Sequence, residues 1–123
     1  MSLILVVEDD PGIRSLAQDL LTDEGYEVQT AESGKQALAV VAGSHPSLIL
    51  VDLTMPEMDG RTLIATLREQ YGDVPVVLVS GAQDIHETAE RIGAVGVIEK
   101  PFDIDLFVEA VRRALAAAAS PRE

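Results

Sequence analysis

Residues 48–60 read LILVDLTMPEMDG. Four apolar residues, Leu48 to Val51, run into Asp52 without polar alternation, and turn-forming residues from Pro56 to Gly60 interrupt the chain beyond it. A short apolar run bounded by turn signals marks a strand buried on both faces, as in a parallel sheet. Four further runs repeat the theme: Leu3 to Val7, Tyr26 to Thr30, Val76 to Val79 and Val95 to Ile98. Each is predicted as a strand of the same kind, covered on both faces.

Between the runs the apolar period changes from that of a strand to that of a helix. Ile13, Leu16, Ala17, Leu20 and Leu21 fall on one helical face, with Asp10 as the cap, Pro11 in the first turn and Gly25 beyond the end. A second helix is predicted from about Gly34 to Ala42, capped by Ser33, with Ala37, Leu38 and Val41 inward. The third spans about Gly60 to Gln70 around Leu63, Ile64 and Leu67, with Asp59 as its cap. The fourth, Asp84 to Ile92, has a thin apolar face and stops at Gly93. The fifth starts at the cap Asp103 and is expected to bury Leu106, Phe107, Ala110, Val111 and Ala114. Strict alternation of strand and helix predicts an α/β fold: a doubly wound, five-stranded parallel sheet with right-handed crossovers and helices on both faces. One domain over residues 1–123 is expected, its core running from about residue 3 to about residue 118.

Composition narrows the function. Nine basic and 21 acidic residues give a net charge of −12, which opposes direct binding to nucleic acid or to an anionic membrane surface. The chain has no cysteine, so disulfides, thiolate metal sites and cysteine nucleophiles are all excluded. The apolar run at Leu3 to Val7 is too short for a membrane span. A cytoplasmic protein is the expectation.

Ligands of open parallel sheets bind beyond the carboxyl ends of the strands. The residues at those ends carry chemistry here: Glu8, Asp9 and Asp10 after the first run, Asp52 after the third, Ser80 and Gly81 after the fourth, and Glu99, Lys100 and Pro101 after the fifth. Asp10 is read as a helix cap. His45, in a loop before Pro46, and His86, in the weak fourth helix, are read as surface residues, and Phe102 and Phe107 as core.

Four stretches in order, LILVVEDDPGIR (3–14), LILVDLTMPEMDG (48–60), VVLVSG (76–81) and IEKPF (98–102), resemble the receiver domain of two-component response regulators. The resemblance spans essentially the whole chain and implies the strand order 2-1-3-4-5. In that order Glu8, Asp9 and Asp52 meet at one rim, where surplus negative charge calls for a hard divalent cation with oxygen ligands. The resemblance further implies that Asp52 accepts a phosphoryl group and that Mg2+ (or Mn2+) is held by Glu8, Asp9, Asp52 and the backbone carbonyl of Thr54. Asp9 would touch the metal directly and Glu8 would act through water. Ser80 and Lys100 would contact the phosphoryl oxygens, loop N–H groups near Thr54 and Gly81 would assist them, and Pro101 matches the family's proline, where a cis bond is allowed. Thr54 and Ala82, two residues past Asp52 and Ser80, are expected to tune the lifetime of the acyl phosphate, and Asp59 to shape the loop of Glu57, Met58, Asp59 and Gly60 beside Asp52.

The implied partners are a sensor histidine kinase or phosphotransfer protein upstream. Downstream, an output domain or protein would be reached through the fourth helix, fifth strand and fifth helix, a face that also suits dimerisation. In the family an aromatic residue often stands three positions before the lysine and swings with the hydroxyl residue. Val97 stands there in this chain, so its switch is left to backbone movement. Three other readings remain open. A haloacid-type phosphatase needs a second acid two residues after its nucleophile, where this chain has Thr54, and a flavin module would find three carboxylates where its phosphate binds. A receiver-like interaction domain that is never phosphorylated would keep every structural feature.

Overall fold

A computed structural model of the chain describes residues 2–53, 55 and 59–119. Five strands and five helices alternate: β1 (Leu3–Val7), α1 (Pro11–Asp23), β2 (Glu27–Ala31), α2 (Gly34–Gly43), β3 (Leu48–Asp52), α3 (Gly60–Tyr71), β4 (Val76–Ser80), α4 (Ile85–Ile92), β5 (Gly96–Glu99) and α5 (Ile104–Ala119). All pairings are parallel and the sheet order is β2-β1-β3-β4-β5. The expected fold class and strand order are both present.

Side chains alternate across the pleat, so each central strand feeds two cores. Leu5, Val7, Ile49, Val51 and Leu78 point to the layer of α2, α3 and α4, where they meet Val41, Leu63, Leu67 and Ile85. Ile4, Val6, Leu48, Leu50 and Val77 point to α1 and α5, meeting Leu21, Phe107 and Val111. Each such buried aliphatic side chain contributes about 1.5–3 kcal/mol. Together these contacts hold the strand ends, and therefore the residues just beyond them, in register.

The caps read from sequence are made. Asp10 accepts from the N–H groups of Gly12 and Ile13, Ser33 from Gln36, Asp59 from Thr62, and Asp103 from Asp105 and Leu106. Asp84 precedes α4 without a side-chain capping bond. Several expectations are corrected. β2 begins at Glu27 rather than Tyr26, because the Tyr26 N–H is bonded to Leu21 at the end of α1. As an edge strand β2 also alternates between exposed and covered residues instead of being buried throughout. In α5, Phe107, Val111 and Ala114 face the sheet, whereas Leu106 lies off that stripe and is 69% exposed. Leu16 of α1 is likewise exposed, while Ala17 and Leu21 of the same face are buried.

Candidate functional site

β1 and β3 are adjacent and in register through Val7 and Val51, so the chain leaving β1 delivers Glu8 and Asp9 beside Asp52. β3 and β4 pair through Asp52 and Val79, and β4 and β5 through Ser80 and Glu99. That register sets Ser80 on the far side of Asp52 and carries Lys100 in from the sheet edge. The Lys100 N–H is held by the Ser80 carbonyl at 2.9 Å, and the Glu8 N–H by the Ala31 carbonyl at 3.0 Å. Side chains from four strand ends therefore converge on one open depression of about 450 Å³, lined by Glu8, Asp9, Asp10, Asp52, Ser80, Gly81, Ala82 and Lys100.

Lys100 is its electrostatic centre. Its Nζ lies 2.9 Å from Glu8 Oε1 and 3.3 Å from Asp52 Oδ2. Glu8 and Asp52 are buried and Asp9 is partly exposed. Burial raises the Glu8 carboxyl to about 7, reinforced by the hydrogen bond and charge of Asp52 and opposed by Lys100 and the Asp10 N–H. Burial pulls the Lys100 ammonium down, but Glu8 and Asp52 outweigh it and hold its pKa above the ordinary 10.5. One ammonium thus stands against three acids, and one of the three is kept half-protonated near neutrality.

The donor set matches a hard cation. Glu8, Asp9 and Asp52 each offer an oxygen, and the three ligand atoms lie within 4.8 Å of one another. All-oxygen donors with one side open to solvent suit magnesium, which keeps several of its waters, better than a metal that prefers nitrogen or sulfur.

The remaining site residues divide. Ser80 is buried and its Oγ accepts from the Ala82 N–H at 3.0 Å, so the hydroxyl hydrogen is left to donate elsewhere. Gly81 and Ala82 are exposed at the mouth. Val97 and Pro101 are not in the depression: they line a neighbouring groove with His86, Phe102 and Leu106, and the Lys100–Pro101 bond is cis. Thr54, Glu57 and Met58 lie outside the described residues. His86 is on the surface and pairs with Glu99 at 2.8 Å, His45 is exposed, Phe107 is buried, and the Phe102 ring stacks 4.9 Å from it.

Arg14 is a site residue that sequence reasoning missed. From the first turn of α1 its Nη1 donates to the carbonyls of Glu8 and Asp9, at 2.9 and 3.4 Å, and so stiffens the backbone that carries both acids. Its place six residues after Glu8, one turn past a cap, resembles that of any solvated helix arginine, so nothing in the local pattern marks it.

Comparison with known proteins agrees with this geometry. The family model for the response regulator receiver domain matches residues 4–112. The nitrogen assimilation regulatory protein NtrX of Azorhizobium caulinodans is 39% identical over 116 residues, which cover 91% of this chain and 26% of that protein. The chain thus spans about a quarter of that relative, and likewise of the regulatory protein AtoC of Escherichia coli. The sporulation initiation phosphotransferase F of Bacillus subtilis is 34% identical, with 91% of this chain and 92% of that protein covered. Among solved structures, the receiver domain of NtrX from Brucella abortus superposes with a TM-score of 0.85 at 38% identity, covering 92% of this chain and 98% of that one.

Proposed function

The chain belongs to the response regulator receiver domain family, and from that premise we propose that it is a single phosphoryl-accepting signalling domain whose acceptor is Asp52. The observation that carries this reading is the meeting of Asp52 with Glu8, Asp9 and Lys100 at one solvent-open rim. An oxygen of the Asp52 carboxylate attacks the phosphorus of the donor. The bond from phosphorus to the donor's leaving nitrogen or oxygen breaks, and its electron pair departs with the donor. Lys100 donates to one phosphoryl oxygen as the charge on it develops, and the Ser80 hydroxyl to another. Glu8, Asp9 and Asp52 would hold Mg2+ or Mn2+, with the backbone carbonyl of Thr54 as the further ligand that the family pattern implies. When bound, the ion supplies positive charge that offsets the repulsion between the incoming phosphoryl group and the acidic rim.

The product is an acyl phosphate, which water returns to carboxylate and inorganic phosphate. Ala82, exposed at the mouth, and Thr54, two residues past Asp52 in sequence, are the proposed tuners of its lifetime. The donor is a phosphohistidine of a sensor kinase or phosphotransfer protein, or a small phosphodonor. The added charge draws Ser80 and Lys100 toward it, and the change passes to the α4-β5-α5 face, where an output domain, a partner protein or a second copy of the chain binds. Val97 has no ring to swing, so movement of the backbone carries the signal there.

Intact mass measurement after incubation with a small phosphodonor and magnesium tests the proposal. One added phosphoryl group on the native chain and none on Asp52→Ala is the expected result. Equal labelling of both removes Asp52 from its role, and no labelling with any donor or kinase favours a receiver-like interaction domain that is not phosphorylated. Sustained turnover of a generic phosphomonoester would instead indicate an aspartate-nucleophile phosphatase.

A further inference from the structure

α4 is short, and only Ile85, Thr88 and Ala89 of its eight residues are buried. Apolar contact alone therefore holds it weakly, yet both of its ends are gripped by the neighbouring helix. Arg61, in the first turn of α3, sets Nη2 at 3.4 Å from Thr88 Oγ1 and 3.7 Å from the Asp84 carboxylate, at the start of α4. Arg68, two turns on and on the same side of α3, donates Nη1 to the Ile92 carbonyl and Nη2 to the Gly93 carbonyl at 3.4 Å, at the end of α4. A cation on the last carbonyls of a helix also complements its dipole.

α3 in turn is pressed against the acceptor strand. A Cβ built on Gly60 would lie 2.7 Å from the Asp52 carbonyl oxygen and 2.8 Å from Leu53 Cα, so the start of α3 packs backbone to backbone on the end of β3. The Gly60 N–H is also bonded to the Leu53 carbonyl at 3.0 Å.

We infer that Arg61 and Arg68 are positioning residues that clamp α4 to α3 at both ends, making α3 a second connection between Asp52 and α4 that needs no aromatic ring at position 97. The clamp restrains α4 against the movement that phosphorylation would impose through Ser80 and the segment leading into α4. By reciprocity of coupled equilibria, its loss favours the phosphorylated form. The restraint is releasable. Arg68 Nε is buried without a hydrogen-bond partner among the described residues, and opening the α3–α4 junction returns it to water, which offsets part of the loss of the carbonyl bonds. The regulatory half of this inference rests on the reading of Asp52 as acceptor, whereas the clamp itself does not.

Hydrogen exchange by mass spectrometry on the full chain, with no phosphodonor, tests the clamp. In Arg61→Ala combined with Arg68→Ala, amides of residues 85–95 should exchange at least about tenfold faster, with β1 and β3 unchanged. Unchanged exchange in α4, or equal acceleration everywhere, overturns it. Should the double variant fail to fold, Arg61→Ala alone, at an exposed side chain, must still loosen the start of α4, and its failure to do so has the same force. With a small phosphodonor and magnesium, the steady-state labelled fraction should rise severalfold in the variants. Faster α4 exchange without that rise refutes the regulatory half. Absence of label in wild type as well removes the acceptor reading and the regulatory half with it, while the exchange result still decides the clamp.

Discussion

The metal-free protein should lose stability as pH rises from 5 to 8, and Glu8 sets the size of the loss. Its carboxyl, 4.5 in an unfolded chain, is raised to about 7 in the folded protein. Between those values the folded state binds the proton that the unfolded state has released, so stability falls with rising pH. The contribution is fully present below about 4.5 and is lost as pH passes 7. At 1.36 kcal/mol per pKa unit, the fall between pH 5 and pH 8 is on the order of 2–3 kcal/mol, or a urea midpoint lower by roughly 1–2 M for a domain of this size. The other displaced groups do not interfere: Asp59 and Glu109 are lowered from values already below this window, and Lys100 and Arg112 are raised from values above it.

Urea unfolding followed by circular dichroism in chelator at several pH values measures the slope. In Asp52→Asn the charge of Asp52 no longer acts on Glu8, and its carboxylate is replaced by the weaker acceptor of an amide. Burial remains, opposed by Lys100, so the slope should shrink without vanishing. Saturating magnesium should stabilise wild type more at pH 8 than at pH 5, because the ion and the proton compete for the same acid. A midpoint that is flat or rises from pH 5 to 8, or a slope indifferent to Asp52→Asn, would refute the electrostatic account of the rim.

Lys100→Met removes the ammonium shared by two buried carboxylates. At pH 8 without metal it should cost about 3 kcal/mol, and distinctly less at pH 5, where Glu8 is protonated, as denaturant midpoints will read. Gly60→Ala should destabilise by about 1–3 kcal/mol despite the better helix propensity of alanine, because its Cβ meets backbone at Asp52 and Leu53; labelling of Asp52 should slow in parallel. Asp103→Ala leaves the Asp105 and Leu106 N–H groups without their cap and should cost about 1 kcal/mol in thermal or urea unfolding, with labelling of Asp52 unaffected.

Much of this protein is legible residue by residue. The apolar runs at 48–51 and 76–79 already specify strands buried on both faces, since each carries its own period and length, and Asp10, Ser33, Asp59 and Asp103 announce helix starts because a cap acts only across its own first turn. The site residues were visible as polar groups standing where each run stops. Only the tertiary structure decided that the Lys100 ammonium bridges Glu8 and Asp52, the latter 48 positions away, because that depends on sheet order and register rather than on local pattern. The same holds for the exposure of Leu106 and the grip of Arg61 and Arg68 on α4. A helical period says that a face is apolar, and only the packed neighbours decide which part of that face is covered and which distant carbonyl a guanidinium meets.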